Sequence, residues 1–331
     1  MPKYHIITFG CQMNKSDSER IASILEEKKY KKASKINEAG LIVVNMCSVR
    51  QSAVDRVYGL IPKLKKLKAK TILTGCILNK DRAKFIKGFD QVLKFKDLLK
   101  YQPKRQDKPI SYVPISNGCN NFCTYCVVPF TRGPLVCRDH QEIIKEAKEA
   151  IEKGFPEIWL LGQNVNDYTS PADPSIHFPE LLKLVNDIPG NFQIRFTSPN
   201  PKNFSDELIE VMAKSQKVTK YLNLPVQSGD NKILKKMNRP YTVEQYKDLV
   251  KKIREKMPNI NLSTDAIVGF PGETKEQFEN TAKLFKEIKF NIAYIAKYSP
   301  RPGTVAWKMK DDVPLAEKKQ REKCLKKLLS S

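Results

Sequence analysis

Six of the eight cysteines are the residues of this sequence best suited to chemistry. Within NGCNNFCTYCVVPFTRG (117–133), Cys119, Cys123 and Cys126 follow the pattern Cys-x3-Cys-x2-Cys. Thiolates this closely spaced hold either a tetrahedral zinc or an iron–sulfur cluster. A structural zinc takes four ligands, and the run supplies three. Cys137 is the candidate fourth ligand, because His140 and His177 lie too far along the chain for ligand spacing, as does His5. With three thiolates only, a four-iron cluster keeps one iron open to a substrate or cofactor, as a catalytic zinc keeps an open position. Both readings stand at this level: an open cluster, or a closed zinc site completed by Cys137.

The other three cysteines repeat a position rather than a spacing. Cys11 follows YHIITF (4–9), Cys47 follows LIVVN (41–45) and Cys76 follows TILT (71–74). Each of these apolar, β-branched runs reads as a strand, and a helical pattern follows each one. Alternation of this kind predicts a parallel α/β sheet. The carboxyl ends of such strands lie along one edge, where ligands bind. Three thiols far apart in sequence are therefore expected to converge on one rim. Cys324, in the carboxyl-terminal helix, belongs to neither set.

The elements that position these residues fall into two series. The first holds the three strands above, a weaker one near 92–95, and helices over 16–29 (capped by Ser16 or Asp17) and 52–67. YQPKRQDKPI (101–110) reads as a linker. The second series has strands at 111–116, 157–161, 192–197, 220–224, 262–268 and 291–298, with helices over 139–153, 178–187, 205–214, 242–257 and 274–287. Six β/α units without a seventh and eighth predict an incomplete barrel. The expected fold is α/β: an open parallel sheet over 1–105, a partial (β/α)6 barrel over 106–310, and a basic helix over 311–331.

Composition narrows the function. Forty per cent of the 331 residues are apolar, which suffices for ordinary cores. No stretch approaches the roughly 20 apolar residues that span a bilayer, and MPKYHIITFG reads as a strand rather than a secretory signal. A cytoplasmic monomer with reduced cysteines is the expectation. Fifty-nine Lys and Arg against 36 Asp and Glu give a net charge of +23, which favours a polyanionic partner.

Cys119-x3-Cys123-x-Tyr125-Cys126 resembles the signature of radical S-adenosylmethionine (SAM) enzymes, and FCTYCVVPFTRG resembles its form in methylthiotransferases. The likeness extends over nearly the whole chain. TFGCQMNKSDSER (8–20), NMCSVRQSAVDRVYG (45–59) and TGC (74–76) match the cysteine-bearing blocks of that family's amino-terminal domain. LLGQNVNDY (160–168), RFTSPNPKNFSDELIE (195–210), LPVQSGDNKILKKMNRPYT (224–242), STDAIVGFPGET (263–274) and KYSPRPGT (297–304) match its catalytic domain. Among the branches it is most similar to the MiaB type, through LGQNVN, FTSPNP and PVQSG.

The resemblance implies two 4Fe–4S clusters. Cys119, Cys123 and Cys126 would hold the one that binds SAM and cleaves it to a 5′-deoxyadenosyl radical. Cys11, Cys47 and Cys76 would hold a second, which carries the sulfur to be inserted. The implied reaction is conversion of N6-isopentenyladenosine beside a tRNA anticodon to its 2-methylthio derivative, with a reducing electron donor and a sulfur source as further partners. It also implies SAM contacts from Tyr125 (against adenine) and from Gly162, Gln163 and Asn164, with Gln227, Ser228 and Asp265 as further candidates. Asp265, among apolar neighbours, requires a partner; a ribose hydroxyl and Arg239 both suit. Arg132 is a candidate for RNA, SAM or a surface salt bridge, and Tyr298, Arg301 and Pro302 for substrate positioning or strand termination. Gly269, Pro271 and Gly272 lack the Lys-Ser/Thr of a phosphate-binding loop, which excludes a nucleotide triphosphate site. Family members usually continue into a small β-barrel, the TRAM domain; this sequence ends at Ser331 without it, leaving phosphate contacts to the basic surface. The alternatives are the same chemistry on threonylcarbamoyl-adenosine or a ribosomal protein, and a zinc-stabilised nucleic-acid-binding protein.

Overall fold

The structure, a computed structural model, describes residues 1–49, 51–95, 97–105 and 109–329. The expected boundary between 105 and 106 borders residues 106–108, which lie outside the described residues.

The amino-terminal elements are β1 (Lys3–Phe9), α1 (Gln12–Glu27), β2 (Lys31–Lys32), β3 (Leu41–Cys47), α2 (Gln51–Leu64), β4 (Lys70–Cys76), α3 (Asn79–Phe85) and β5 (Gln91–Val92). The strands form one parallel sheet in the order β2-β1-β3-β4-β5. β3 is central and buried at every position, as expected of an apolar run covered on both faces. Its register against β4 sets Cys47 directly beside Cys76.

The second series comprises β6 (Ile110–Pro114), β7 (Ser116–Asn117), α4 (Val128–Thr131), β8 (Val136–Cys137), α5 (His140–Glu152), β9 (Glu157–Leu161), α6 (Phe178–Asn186), β10 (Gln193–Phe196), α7 (Asp206–Lys214), β11 (Tyr221–Asn223), α8 (Asn231–Lys236), α9 (Val243–Lys256), β12 (Asn261–Val268), α10 (Lys275–Ile288), β13 (Ile292–Lys297) and α11 (Leu315–Lys327). Two three-stranded parallel sheets, β10-β9-β6 and β11-β12-β13, meet where Ile194 bridges to Val218. Six parallel strands thus run in chain order, and among the described residues no ladder joins β13 back to β6. This is the incomplete barrel expected. Its core interleaves strand residues such as Ile158, Leu160, Ile194, Leu222 and Leu262 with helix residues such as Ile143, Leu181 and Leu249.

α1 begins earlier than expected. Cys11 is its N-cap, neither Ser16 nor Asp17; the Cys11 amide donates to Asn14 Oδ1 (3.3 Å) and its carbonyl accepts from Lys15 N (3.1 Å). Ser16 and Asp17 are interior and buried, as are Asn14, Ser18, Glu19 and Arg20, because the barrel covers this face of the helix. Ser16 Oγ donates to the Tyr112 carbonyl of β6, and Arg20 reaches Glu146 of α5.

The carboxyl-terminal helix α11 forms where expected, but two of its cations are buried rather than displayed. Lys318 pairs with Asp311 (2.5 Å) and Arg321 with Glu273 (2.6 Å). The Gly269 amide donates to Glu273 Oε2 (2.6 Å), so the VGFPGET turn is closed by a carboxylate and offers no phosphate cradle.

Candidate active site: two cysteine triads

The first triad is built at the carboxyl edge of the amino-terminal sheet. Cys47 and Cys76 are the last residues of β3 and β4, and Cys11 sits at the start of α1. Gly75, in the left-handed region (φ +104°), precedes Cys76. A side chain there would collide with the Met46 carbonyl, so only glycine lets the two strands close on the pair. The proximity of the Cys47 and Cys76 thiols lowers the Cys47 pKa and, together with burial, raises that of Cys76. Cys11 is exposed to solvent yet surrounded by protein, and this desolvation raises its pKa. Cys47 and Cys76 both lie within its electrostatic reach.

The second triad lies on the loop after β7, at the carboxyl edge of the barrel strands. Another left-handed glycine, Gly118 (φ +87°), precedes Cys119, where a side chain would strike the Pro134 carbonyl. Burial raises the pKa of Cys119 and pushes that of Cys126 up to about 12, and each feels the charge of Cys123. Thiols this reluctant to ionise alone become thiolates when a metal supplies positive charge. Among the described residues, no three Cys, His, Asp or Glu side chains are gathered closely enough to hold a single metal ion. Three cysteines without a fourth ligand beside them match the donor chemistry of an iron–sulfur cluster that keeps one iron open. Cys137 is in neither triad: its thiol faces the Thr169 backbone and Asp167, and the residue packs on the barrel core.

The remaining sequence-derived candidates separate into engaged and open groups. Gln163 Oε1 accepts from the Gly118 amide (2.6 Å), holding the base of the cysteine loop. Gly162 approaches Ser116 so closely that a Cβ would lie 2.8 Å from its Oγ. Asn164 is buried, and among the described residues neither its Oδ1 nor its Nδ2 has a hydrogen-bond partner. A buried amide in that state requires a ligand or water, so Asn164 fits a polar cofactor. Asp265 accepts from Asn223 Nδ2 (2.9 Å). Gln227 has φ +68° and bridges β12 at Ala266. Ser228 is engaged with Thr281 and the Asp230 amide. Tyr125 packs on Ile233, Met237, Phe270 and Tyr298.

Three arginines find partners that the sequence does not show. Arg239 does not serve Asp265; it donates to Tyr241 Oη, the Pro225 carbonyl and Cys123 Sγ. Arg132 makes no surface salt bridge. Six residues past Cys126, it pairs with Asp17 (2.8 Å), both side chains being one-tenth exposed, and its charge acts on Cys11, Cys47 and Cys76 alike. Arg301 extends from the end of the barrel to Gln51 Oε1 (2.5 Å) and the Ser48 carbonyl, beside Cys47. Two barrel arginines therefore flank the amino-terminal triad. Their reach was not legible in the sequence, since nothing local distinguishes them from surface cations.

Comparison with known proteins supplies the family. Residues 113–285 match the Radical SAM superfamily, and residues 3–95 match the family described as "Uncharacterized protein family UPF0004". The tRNA-2-methylthio-N(6)-dimethylallyladenosine synthase of Thermoanaerobacter sp. (strain X514) is 42% identical, covering 96% of this chain and 76% of that protein. The chain belongs to this synthase family. A synthase of the same name from Dictyoglomus thermophilum is 40% identical over 97% of this chain and 81% of its own length. Among solved structures, the radical SAM methyltransferase TsrM from Kitasatospora setae, with cobalamin and a [4Fe-4S] cluster bound, aligns with a TM-score of 0.67. It is 15% identical and covers 92% of this chain and 77% of its own. The cobalamin-dependent radical enzyme OxsB, in its apo form, aligns at 0.61 with 11% identity, covering all of this chain and 56% of its own. At these identities the likeness is one of fold. For a synthase of this family, an iron–sulfur cluster and SAM are the cofactors that radical SAM membership brings.

Proposed function

We propose that this chain converts N6-isopentenyladenosine next to a tRNA anticodon to its 2-methylthio derivative, using two 4Fe–4S clusters and SAM. The observation that supports the reading is Arg132, six residues past Cys126, paired with Asp17 and acting by its charge on Cys11, Cys47 and Cys76. Cys119, Cys123 and Cys126 are assigned to the SAM-binding cluster, and Cys11, Cys47 and Cys76 to the second. When bound, these groups supply one-electron chemistry at an aromatic carbon whose hydrogen no side-chain acid or base removes.

The chain's own residues bind, orient and exclude water. Gln163 and Gly118 fix the base of the loop, and Asn164, Asp265 and Gln227 are assigned to SAM. Tyr125, partly buried against the cluster that holds Phe270 and Tyr298, is assigned to the adenine of SAM. The residues are divided as 1–105 for the second cluster, 106–310 for the barrel and 311–331 for the terminal helix. Transfer RNA is assigned as the polyanion behind the charge of +23, and its binding should weaken steeply as salt rises. A cytoplasmic setting accords with this partner; no described helix is long and apolar enough to cross a membrane. The zinc reading is disfavoured by the family, whose radical SAM members carry an iron–sulfur cluster.

Mass spectrometry of tRNA nucleosides after incubation with reconstituted chain, SAM, sulfide and a chemical reductant tests the assignment. The expected product is the 2-methylthio derivative of isopentenyladenosine, with roughly eight irons per chain. Methylthiolation of threonylcarbamoyl-adenosine instead would replace the substrate, and zinc without iron would overturn the enzyme reading.

A further inference from the structure

The loop that carries Cys119, Cys123 and Cys126 does not hold its own shape. Phe122 has φ +48°, a conformation a bulky side chain adopts only when neighbours impose it. The imposing segment is Lys236–Met237–Asn238–Arg239, from the far half of the barrel. α8 stops at Met237 because Asn238 takes the left-handed conformation (φ +55°) and Pro240 cannot continue a helix. The turned segment then grips the loop residue by residue. Asn238 Nδ2 donates to the carbonyls of Asn121 and Phe122, both at 3.1 Å. Thr124 donates through its amide to the Met237 carbonyl (3.0 Å) and through Oγ1 to the Lys236 carbonyl (2.9 Å). Arg239 Nη1 donates to Cys123 Sγ at 3.6 Å.

Arg239 is the informative member. It is buried, and its guanidinium is fixed on two further sides by Tyr241 Oη (2.9 Å) and the Pro225 carbonyl (3.0 Å). None of these three partners is a carboxylate. A buried cation ordinarily faces an anion; burial holds the Tyr241 phenol protonated, which leaves the Cys123 sulfur as the partner that becomes anionic when it ligates a metal. Its neighbours include the Tyr241 ring and the Tyr125 ring, whose burial keeps its phenol protonated.

We propose that Arg239 is a positioning residue for the radical SAM cluster that raises its reduction potential, with Asn238 holding the loop in the shape that brings Cys123 to it. The inference rests on the assignment of Cys119, Cys123 and Cys126 as cluster ligands. Reduction adds one negative charge to the cluster, so a fixed cation and donor at a ligand sulfur favours the reduced form, as hydrogen bonds to cluster sulfurs do generally. The role differs from binding SAM. It decides how strong a one-electron reductant the enzyme requires.

The test is an electron paramagnetic resonance redox titration of chain reconstituted with iron and sulfide. Cys11, Cys47 and Cys76 are replaced by Ala so that one cluster remains. Arg239→Gln should lower the equilibrium constant for reduction at least tenfold, a shift of about 59 mV to more negative potential for one electron. Arg239→Lys, which keeps the charge but not the fork, should shift it less. Asn238→Ala should lower iron content, because the strained loop loses two bonds. A four-iron cluster present in both Arg239 variants with potentials unchanged within twofold would overturn the inference. Should Arg239→Gln fail to retain iron, the Arg239→Lys and Tyr241→Phe variants decide it by the same comparison. Absence of iron from the parent triple variant would instead refute the ligand assignment, which separates the two failures.

Discussion

Nη2 of Arg132 lies 2.8 Å from Oδ2 of Asp17, joining the cysteine loop of the barrel to the helix that begins at Cys11. The same arginine is anchored on its own side by Asn117, whose Oδ1 accepts from Nη1 at 2.9 Å. Burial opposes its charge, but Asp17 and the thiols of Cys76 and Cys11 hold it firmly protonated. The pair ties the barrel's cysteine loop to the helix that starts at Cys11.

Replacing Arg132 by Gln leaves Asp17 buried without its cation, and breaking such a pair costs about 3–5 kcal/mol. The midpoint of urea unfolding should fall accordingly. The double variant Arg132→Gln, Asp17→Asn should recover part of the loss, since no lone charge remains. A double variant no more stable than the single one would show that the pair does not hold the two parts together.

A second joint between the two parts is larger. Glu146 of α5 accepts from Arg20 at 2.7 and 2.8 Å and from Arg138 at 2.8 Å, with Arg105 at 3.6 Å. One carboxylate thus serves three buried cations. Glu146→Gln should destabilise by at least the about 3–5 kcal/mol of a single broken buried pair, exceeding the effect at Arg132. Hydrogen exchange should show the loss first at α1 and α5; protection lost only elsewhere would contradict this placement.

Much of this architecture was legible in the sequence because it follows local rules. The LIVVN run reads as a central strand, and Cys11, Cys47 and Cys76 read as one rim because each follows a strand. The interface was not legible. NKSDSER looks like a solvated helix face, and only the packed barrel turns Asp17 and Arg20 into buried partners of Arg132 and Glu146. Arg239 illustrates the same limit. Periodicity identified Asp265 as a carboxylate in an apolar strand in need of a partner, yet the arginine goes to Cys123, a pairing set by the αL turn at Asn238.

Stability should also respond to acid at a defined place. Asp90 Oδ2 accepts from the amide and hydroxyl of Thr71, both at 2.7 Å, and these bonds lower its pKa below the usual 3.8. A carboxylate with a depressed folded pKa contributes stability above its unfolded value and loses it as pH falls through the folded one. Asp90→Ala should therefore lower the melting temperature at pH 7, and the gap from wild type should close as the pH is taken below 3.8. A gap that stays constant down to acid unfolding would assign the effect to packing instead.

The two triads should fail independently, because they stand on different sheets with different supports. Cys123→Ala removes a residue held by Arg239 and the 236–239 segment, and none of those contacts reaches Cys47. Its expected outcome is roughly half the iron and loss of SAM cleavage. Cys47→Ala removes the residue set beside Cys76 and leaves the barrel loop untouched. It should also lose about half the iron while retaining SAM cleavage, and it should form no methylthio product. Iron content, deoxyadenosine release and nucleoside analysis on the same samples separate these outcomes. Methylthiolated nucleoside from Cys47→Ala would remove the second triad from the reaction, whereas loss of SAM cleavage there would mean that the two sites depend on each other through the Arg132–Asp17 joint.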